Sequence, residues 1–484
     1  MRIFDTLSGE KKELKQPIGE DGKPRPIKMF VCGPTVYDYP HIGNARTFVF
    51  FDMFVRYLRS QGMQVKYLQN ITDIDDKIIQ RAKETGTTWQ EVSKTYEEIY
   101  FENLKALGVD TAGMQFARAT EHIPEIIAQV QRLQETGHVY KIEGDPDATA
   151  GAGGWYFDIT KYAGYGELAR RTVQQAEDGV TRLDNSEKKR NAGDFCLWKL
   201  KSVASSESRV ASEPSWESEL GTGRPGWHIE DTAITEHFFG PQYDIHGGAL
   251  DLKFPHHEAE RALQESASGK TPFVNFWMHT GFLTVNGTKM SKSLGNFMTV
   301  DDVLKKMTAD EFRMMLLIHH YRQPLDYIPD YIDVVKKHLI EMRAVLSKID
   351  LQIASNNTAK LSDFNLAAFE EKFHDAIADD FNTPLALGII FQIINQLNKE
   401  IWSLNSEFIK KFKVFFVNAF ASFGITLDAP KIPAEIQKLA QERELSRASK
   451  QFAKSDGLRV QIEQLGYVVE DTPAGPLVLP KTSE

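Results

Sequence analysis

Several things are scarce in this chain, and each scarcity excludes something. Cysteine occurs only at Cys32 and Cys196 in 484 residues, which rules out a disulfide framework and suits a reducing compartment. The N-terminus, MRIFDTLSGEKKEL, lacks the apolar segment of a secretion signal, and no uninterrupted apolar run reaches membrane length. No membrane association is expected, and the expected location is the cytoplasm. Excess positive charge is also missing. With a formal net charge of -10 the chain is not one that coats nucleic acid, although local basic strips rather than net charge govern such contacts. The remainder is ordinary: 42% hydrophobic and 26% charged residues describe a globular protein. A length of 484 residues exceeds one core and implies about two to four domains.

The most informative stretch runs from Val31 to Asn44, VCGPTVYDYPHIGN. An apolar strand candidate (Ile27 to Val31) passes through a glycine-bearing turn into a dense apolar helix, about Ala45 to Ser60, closed by Gly62. Strand, turn and helix in this order place a phosphate at a helix N-terminus in open α/β sheets. His41 and Asn44 are three apart and can face one ligand; alternatively they only cap the helix. Gly43 permits close backbone approach, and Cys32 offers a soft metal ligand or simply packs. A second strand, Val65 to Ile71, completes a βαβ unit and brings Asn70-Ile71-Thr72-Asp73 to the same edge. Asp73, Asp75 and Asp76 could form a metal cluster, but negative charge favouring a helix N-terminus is the better reading.

Trp89 to Gly137 reads as helical, with starts at Thr88, Thr120 and Glu121. Residues 144–154 and 201–223 read as polar surface loops around strand pieces Trp155 to Ile159 and Phe195 to Leu200, with Cys196 as core. Arg224-Pro225-Gly226-Trp227-His228-Ile229-Glu230-Asp231 leads into a helix, and Asp231 could serve as its cap. Asp244 to Gly248 reads as a strand ending in a tight turn, and Phe254-Pro255-His256 opens another helix. His256 and Glu260, at i and i+4, can grip one ion or stand as a solvated pair. His257 points about 100° away and is not expected to share that face with Glu260. After a strand from Phe273 to His279, Val285-Asn286-Gly287-Thr288 signals a hairpin. It carries Lys289-Met290-Ser291-Lys292-Ser293 as a loop that can open and close. Beyond Asp301 the pattern is helical: Val303 to Tyr321, Phe364 to Phe381, Pro384 to Leu404, Glu407 to Phe423 and Ala434 to Ala453, then Leu458 to Leu465 and a strand-like Tyr467 to Val469.

His41-Ile42-Gly43-Asn44 together with Lys289-Met290-Ser291-Lys292-Ser293 resembles the two signatures of class I aminoacyl-tRNA synthetases. CGPTVYD, NITDIDDK, RPGWHIE, DIHGG and FPHHE narrow the likeness to the cysteinyl-tRNA synthetases, over nearly the whole chain and with the motifs in family order. The resemblance implies an α/β fold. A Rossmann-like parallel-sheet catalytic domain (1–115 and 225–300) would be split by an insertion (116–224) that approaches the tRNA acceptor end. A helical stem (301–347), an all-α anticodon-binding bundle (348–428) and a small C-terminal module (429–484) would follow.

It further implies ATP-dependent activation of L-cysteine and transfer to tRNA(Cys) by a monomer, with magnesium accompanying ATP and no editing domain. His41, Asn44, Lys289 and Lys292 would be catalytic, and Gly43, Met290, Ser291 and Ser293 would complete the ATP site. Gly33, Thr35, Thr72, Trp227 and His246 would surround the cysteine, with Gly33 letting the substrate approach the backbone. One zinc ion, held by Cys32, Asp231, His256 and Glu260, would select the thiol. At 231 this chain has an aspartate where the family pattern has a second cysteine, which keeps the ligand charge at -3 but hardens the donor set. The loop 201–223 is longer and richer in serine than the family suggests and is read as functionally silent. A ligase joining cysteine to an amino sugar and a catalytically silent tRNA-binding paralogue are the competing readings.

Overall fold

The computed structural model describes residues 1–144, 153–171, 188–201, 213–290, 295–328, 330–356 and 364–481. Residues 145–152 and 202–212 of the two polar loops, together with Ser291, Lys292 and Ser293, lie outside these residues. Two compact units are formed. One comprises Met1–Lys306 with Tyr321–Tyr327, the other Met307–His320 with Ile328–Glu484.

The first unit opens with an antiparallel hairpin, β1 (Arg2–Asp5) and β2 (Glu10–Glu13). Its centre is a parallel sheet in which β3 (Ile27–Val31), β4 (Val65–Ile71) and β5 (Met114–Arg118) lie in sequence order. The chain then leaves and returns to the opposite edge of β3 with β10 (Tyr243–Ala249) and β11 (Val274–Thr280), so the full order is β11-β10-β3-β4-β5. The direction of winding reverses between β3 and β10, and open α/β sheets present their crevice at the strand ends of such a point. Purely parallel strands are covered on both faces and read as continuous apolar runs. IKMFV of β3 has that character, with four of its five residues buried.

The crossover helix α1 spans Ile42–Ser60, three residues earlier at its start than the apolar run suggested, because His41 acts as its cap. Gly62, at φ 78°, takes the left-handed turn that ends it. Helices α2 (Asp76–Thr85) and α3 (Trp89–Ala106) follow β4. The three aspartates before and within α2 each have different partners. Asp75 caps it through Lys77 N–H (2.9 Å), Asp73 accepts from Thr120 N–H (3.0 Å), and Asp76 pairs with Lys199 and Arg224.

Between α4 (Ile123–Glu135) and α5 (Trp227–Phe239) lies an antiparallel sheet, β6 (Val139–Glu143), β7 (Gly153–Phe157), β8 (Phe195–Leu200) and β9 (Gly223–Pro225). Cys196 is buried in it beside Tyr140, Ile142 and Tyr156, as core. β7 starts and ends two residues before the expected strand, because Asp158 caps a turn at Thr160 N–H (3.1 Å). After α6 (His256–Ser268) and β11 comes a small sheet of β12 (Leu283–Val285), β13 (Thr288–Lys289) and β14 (Leu325–Tyr327). Asn286 and Gly287 turn the β12–β13 hairpin at φ 51° and 73°.

The second unit is helical: Ala309–Leu317, Asp330–Ala354, Leu366–Ala378, Thr383–Glu400 and Ser406–Ala421. Asn365, Asn382 and Asn405 cap the last three through Ala368, Leu385 and Phe408 N–H. The continuous helix expected from Val303 to Tyr321 is broken instead. Thr308 makes a capping box with Glu311 and starts a new helix at Ala309. In the tail, Lys450 at φ 59° divides Ala434–Ala448 from Phe452–Gln464, which an antiparallel hairpin, Tyr467–Thr472 with Gly475–Pro480, follows. Among the described residues no helix is long and apolar enough to cross a membrane.

Candidate active site and metal centre

Cys32 follows the last residue of β3, Asp231 lies in α5, and His256 and Glu260 are one turn apart at the start of α6. Their ligand atoms all fall within 4.8 Å of one another, and all four residues are buried. Cys32 Sγ is 3.3 Å and His256 Nε2 3.1 Å from Asp231 Oδ2, while His256 Nε2 is 3.1 Å from Glu260 Oε1. Neither Glu260 oxygen meets a donor in hydrogen-bonding geometry among the described residues.

Burial, with the Asp231 and Glu260 charges added, pushes the Cys32 thiol well up. Burial and then Asp231 push Glu260 up too. A thiol and two carboxyls crowded in a low-dielectric interior repel one another, and buried charges persist when paired or coordinated to a metal. The donor set therefore fits a cation. Helix α5 begins at Trp227 with Gly226 before it, so Asp231 stands in the second turn and is not the cap.

One cleft lies above this cluster. It is lined by Cys32 to Pro40, His41, Asn44, Lys77, Trp227, Asp251 and Phe297, among others. At its other end is the N-terminus of α1, where His41 Nδ1 accepts from Gly43 N–H (3.1 Å) and Asn44 N–H (3.3 Å), and Asn44 Oδ1 accepts from His41 N–H (3.4 Å). His41 and Asn44 thus do cap the helix. With Nδ1 occupied as an acceptor, the ring proton sits on Nε2, which is a donor. Burial holds this imidazole below its usual range.

The sequence matches the family described as tRNA synthetases class I (C) catalytic domain over residues 19–337 and the DALR domain over residues 372–428. It is 39% identical over 491 residues to a cysteine–tRNA ligase of Thermococcus gammatolerans, covering 98% of each chain. Those of Caldicellulosiruptor saccharolyticus and Methanococcus maripaludis are 38% and 37% identical, with 99% of each chain covered. The chain belongs to the cysteine–tRNA ligase family. Its fold is that of class I synthetases of other specificities. It is similar to Mycobacterium tuberculosis methionyl-tRNA synthetase in complex with methionyl-adenylate (TM-score 0.59, 16% identity, 83% of this chain and 90% of that one). Agrobacterium radiobacter K84 LeuRS in a ternary complex gives a TM-score of 0.61 at 12% identity, covering 82% and 83%.

In this member of the cysteine–tRNA ligases, Gly33, Thr35 and Trp227 line the cleft, whereas Thr72 and His246 are buried and are not among its lining residues. Trp227 stacks on His256 at 4.1 Å between ring centroids. His246 accepts or donates at Tyr243 Oη (2.6 Å) and has its Nε2 3.5 Å from Glu260. His257 does approach Glu260, in a second buried group with His246. Residues 257 and 260 are i and i+3, a spacing that also shares a helix face.

At two glycines a side chain would also clash within the protein itself. A Cβ on Gly33 would stand 1.8 Å from the Asn70 carbonyl oxygen, and one on Gly43 would stand 2.9 Å from the His41 ring. Met290 reaches the same place, its Cε 3.2 Å from that Gly43 position, and Lys289 lies exposed at the end of the hairpin with Nζ 5.8 Å from the Phe282 ring centroid. Ser291, Lys292 and Ser293 are outside the described residues.

Sequence reading missed two side chains. His228 Nδ1 is 2.8 Å from His256 Nδ1, and Asn70 donates to Asp231 Oδ1 at 2.6 Å. RPGWHIE and NITDIDDK contain both, but only the fold reveals the partners.

Proposed function

We propose that this chain activates L-cysteine with ATP and transfers it to the 3′ end of tRNA(Cys). The observation that carries the reading is the buried Cys32–Asp231–His256–Glu260 cluster under the same cleft as the capped N-terminus of α1. In the first step a cysteine carboxylate oxygen attacks the α-phosphorus of ATP, the bond to the β-phosphate bridge breaks, and pyrophosphate leaves. In the second, a terminal ribose hydroxyl of the tRNA attacks the cysteinyl carbonyl and AMP leaves. No covalent enzyme intermediate is needed, so the residues act by positioning and charge.

His41 Nε2–H and the Asn44 amide donate to phosphate oxygens at the positive end of α1. Gly43, Met290, Ser291 and Ser293 complete the set of ATP-binding residues. Lys289 and Lys292 neutralise the departing pyrophosphate, and magnesium accompanies the nucleotide. Cys32, Asp231, His256 and Glu260 hold zinc. Bound there, zinc would supply the discrimination, because it ligates and deprotonates a thiol but takes a hydroxyl far more weakly. Gly33, Thr35, Thr72, Trp227 and His246 build the cysteine pocket around it, and Trp227 and His228 keep the His256 ring in place.

Residues 1–115 and 225–300 form the catalytic domain and 116–224 the insertion facing the acceptor end. Residues 301–347 form a stem, 348–428 read the anticodon, and 429–484 form a terminal module. The chain works as a monomer in the cytoplasm. An enzyme joining cysteine to a sugar would have no use for an anticodon-reading bundle. Pyrophosphate exchange with cysteine and with serine, followed by charging of purified tRNA(Cys), tests the reading. Exchange with cysteine but no charging would refute the tRNA assignment, and equal exchange with serine would refute the selection by zinc.

A further inference from the structure

We infer that Asn70 is a positioning residue that holds Asp231 as a one-oxygen ligand and, through the same amide, fixes the peptide that carries Cys32. The inference rests on the metal reading above. Asn70 stands next to last in β4 and is 1% exposed. Its Oδ1 accepts from Gly33 N–H at 2.6 Å, and its Nδ2 donates to Asp231 Oδ1 at 2.6 Å and to Thr72 Oγ1 at 3.3 Å. The orientation is forced, because a backbone N–H only donates: the carbonyl end must face Gly33, so the NH₂ end must face Asp231.

Two consequences follow for the cluster. First, Asp231 Oδ1 is held by a donor, and only Oδ2 is left facing Cys32 Sγ (3.3 Å) and His256 Nε2 (3.1 Å). A carboxylate free of that bond can swing to ligate through both oxygens, which raises the coordination number and fills the position a substrate thiol needs. Second, Gly33 directly follows Cys32, so the amide ties the end of β3 to α5. Gly33 itself is pressed against the β4 backbone, with no room for a Cβ beside the Asn70 carbonyl. One side chain thereby sets the spacing of two ligands that come from different elements.

The test uses the full-length protein with zinc, and with cobalt(II) as a coloured substitute. Asn70→Ala should weaken zinc binding, measured by chelator competition, by about 10- to 100-fold, the usual loss when the residue orienting a ligand is removed. Asn70→Asp, of the same shape but unable to donate to Asp231, should weaken it further. The cobalt(II) visible bands should lose intensity in both variants as the coordination number rises. With Asp231→Cys as background there is no carboxylate to hold and only the Gly33 bond remains to be lost, so Asn70→Ala should cost at least about threefold less than in the wild type, a non-additivity that a general folding role would not produce. Equal losses in both backgrounds, or an Asn70→Ala protein with wild-type affinity and spectrum, would overturn the inference. Should the Asn70 variants fail to fold, cobalt(II) in the wild type decides: intense four-coordinate bands support the inference, and weak five- or six-coordinate bands overturn it. A wild-type protein that binds no zinc would bring down the metal reading itself. One that binds zinc with indifferent Asn70 variants would bring down only this inference.

Discussion

Replacing Arg46 by methionine removes a cation that is 3% exposed and donates to three main-chain carbonyls, those of Phe282 (2.6 Å), Tyr321 (3.1 Å) and Gln323. Hydrogen bonds from a charged donor contribute about 1.5–3 kcal/mol each. Two of the carbonyls keep a second donor, because Leu325 N–H reaches Phe282 O (2.9 Å) and Gly281 N–H reaches Tyr321 O (2.8 Å), so the low end applies to them. Against this stands the cost of burying the guanidinium, which burial alone drives down to about 10 from an ordinary 12.5; that corresponds to about 3 kcal/mol. Methionine keeps the apolar stem of the side chain. The net destabilisation expected is about 1.5–3 kcal/mol, concentrated where segments 281–285 and 321–327 meet α1. Amide hydrogen exchange of Gly281 and Leu325 reads that junction directly, which suits a chain of two compact units better than one global unfolding curve. Protection of these amides should fall by about 10- to 150-fold. Pyrophosphate exchange should fall with it, because the same junction supports the hairpin that ends in Lys289. Protection unchanged within about twofold would refute the reasoning, since the three bonds would then contribute nothing net.

Asp231→Asn keeps the shape but removes a charge from the cluster, and zinc affinity should drop by at least about 10- to 100-fold; full zinc occupancy in the purified variant with unchanged cysteine affinity would remove Asp231 from the ligand set. Lys292→Ala should slow adenylate formation by about two to three orders of magnitude, the scale of one lost transition-state donor, with cysteine binding nearly unchanged; an adenylation rate within about threefold of wild type would exclude it. Burial alone would raise the Asp76 carboxyl, but Arg224 and Lys199 outweigh it and hold it at about 2, below an ordinary 3.8. Its contribution of about 2 kcal/mol is therefore complete above pH ~4 and fades as the pH falls towards 2. Acid unfolding of Asp76→Asn should lack that part of the pH dependence, and identical slopes for variant and wild type would show that the pair carries no stability.

The strand-turn-helix start and the Asn286-Gly287 hairpin were legible because each depends on neighbours within a few residues, and the three helices between Phe364 and Phe423 because their apolar periodicity is local too. The four residues of the cluster came from resemblance, since Cys32, Asp231 and His256 meet only through the sheet. Asn70 was out of reach for the same reason: its partners Gly33 and Asp231 lie 37 and 161 residues away. The reasons assigned to Gly33 and Gly43 were incomplete because the atoms that exclude a Cβ belong to β4, to the cap and to Met290. By contrast, the break at Thr308 could have been read from Thr308-Ala309-Asp310-Glu311, a capping box that the apolar periodicity on either side outweighed.

The return of the chain to the far edge of β3 also matters during synthesis. β4 leaves the ribosome soon after β3 and can pair with one edge at once, but the other edge waits for β10, which begins about 210 residues later. At about 5–20 residues per second, that edge of an apolar strand stays open for roughly 10–40 s. An unpaired apolar edge is a template for another chain. The stretch of chain between β3 and β10 therefore acts as a clock on nascent-chain exposure, and the yield of soluble protein should depend on how fast residues 32–242 are translated as well as on how stable the finished sheet is.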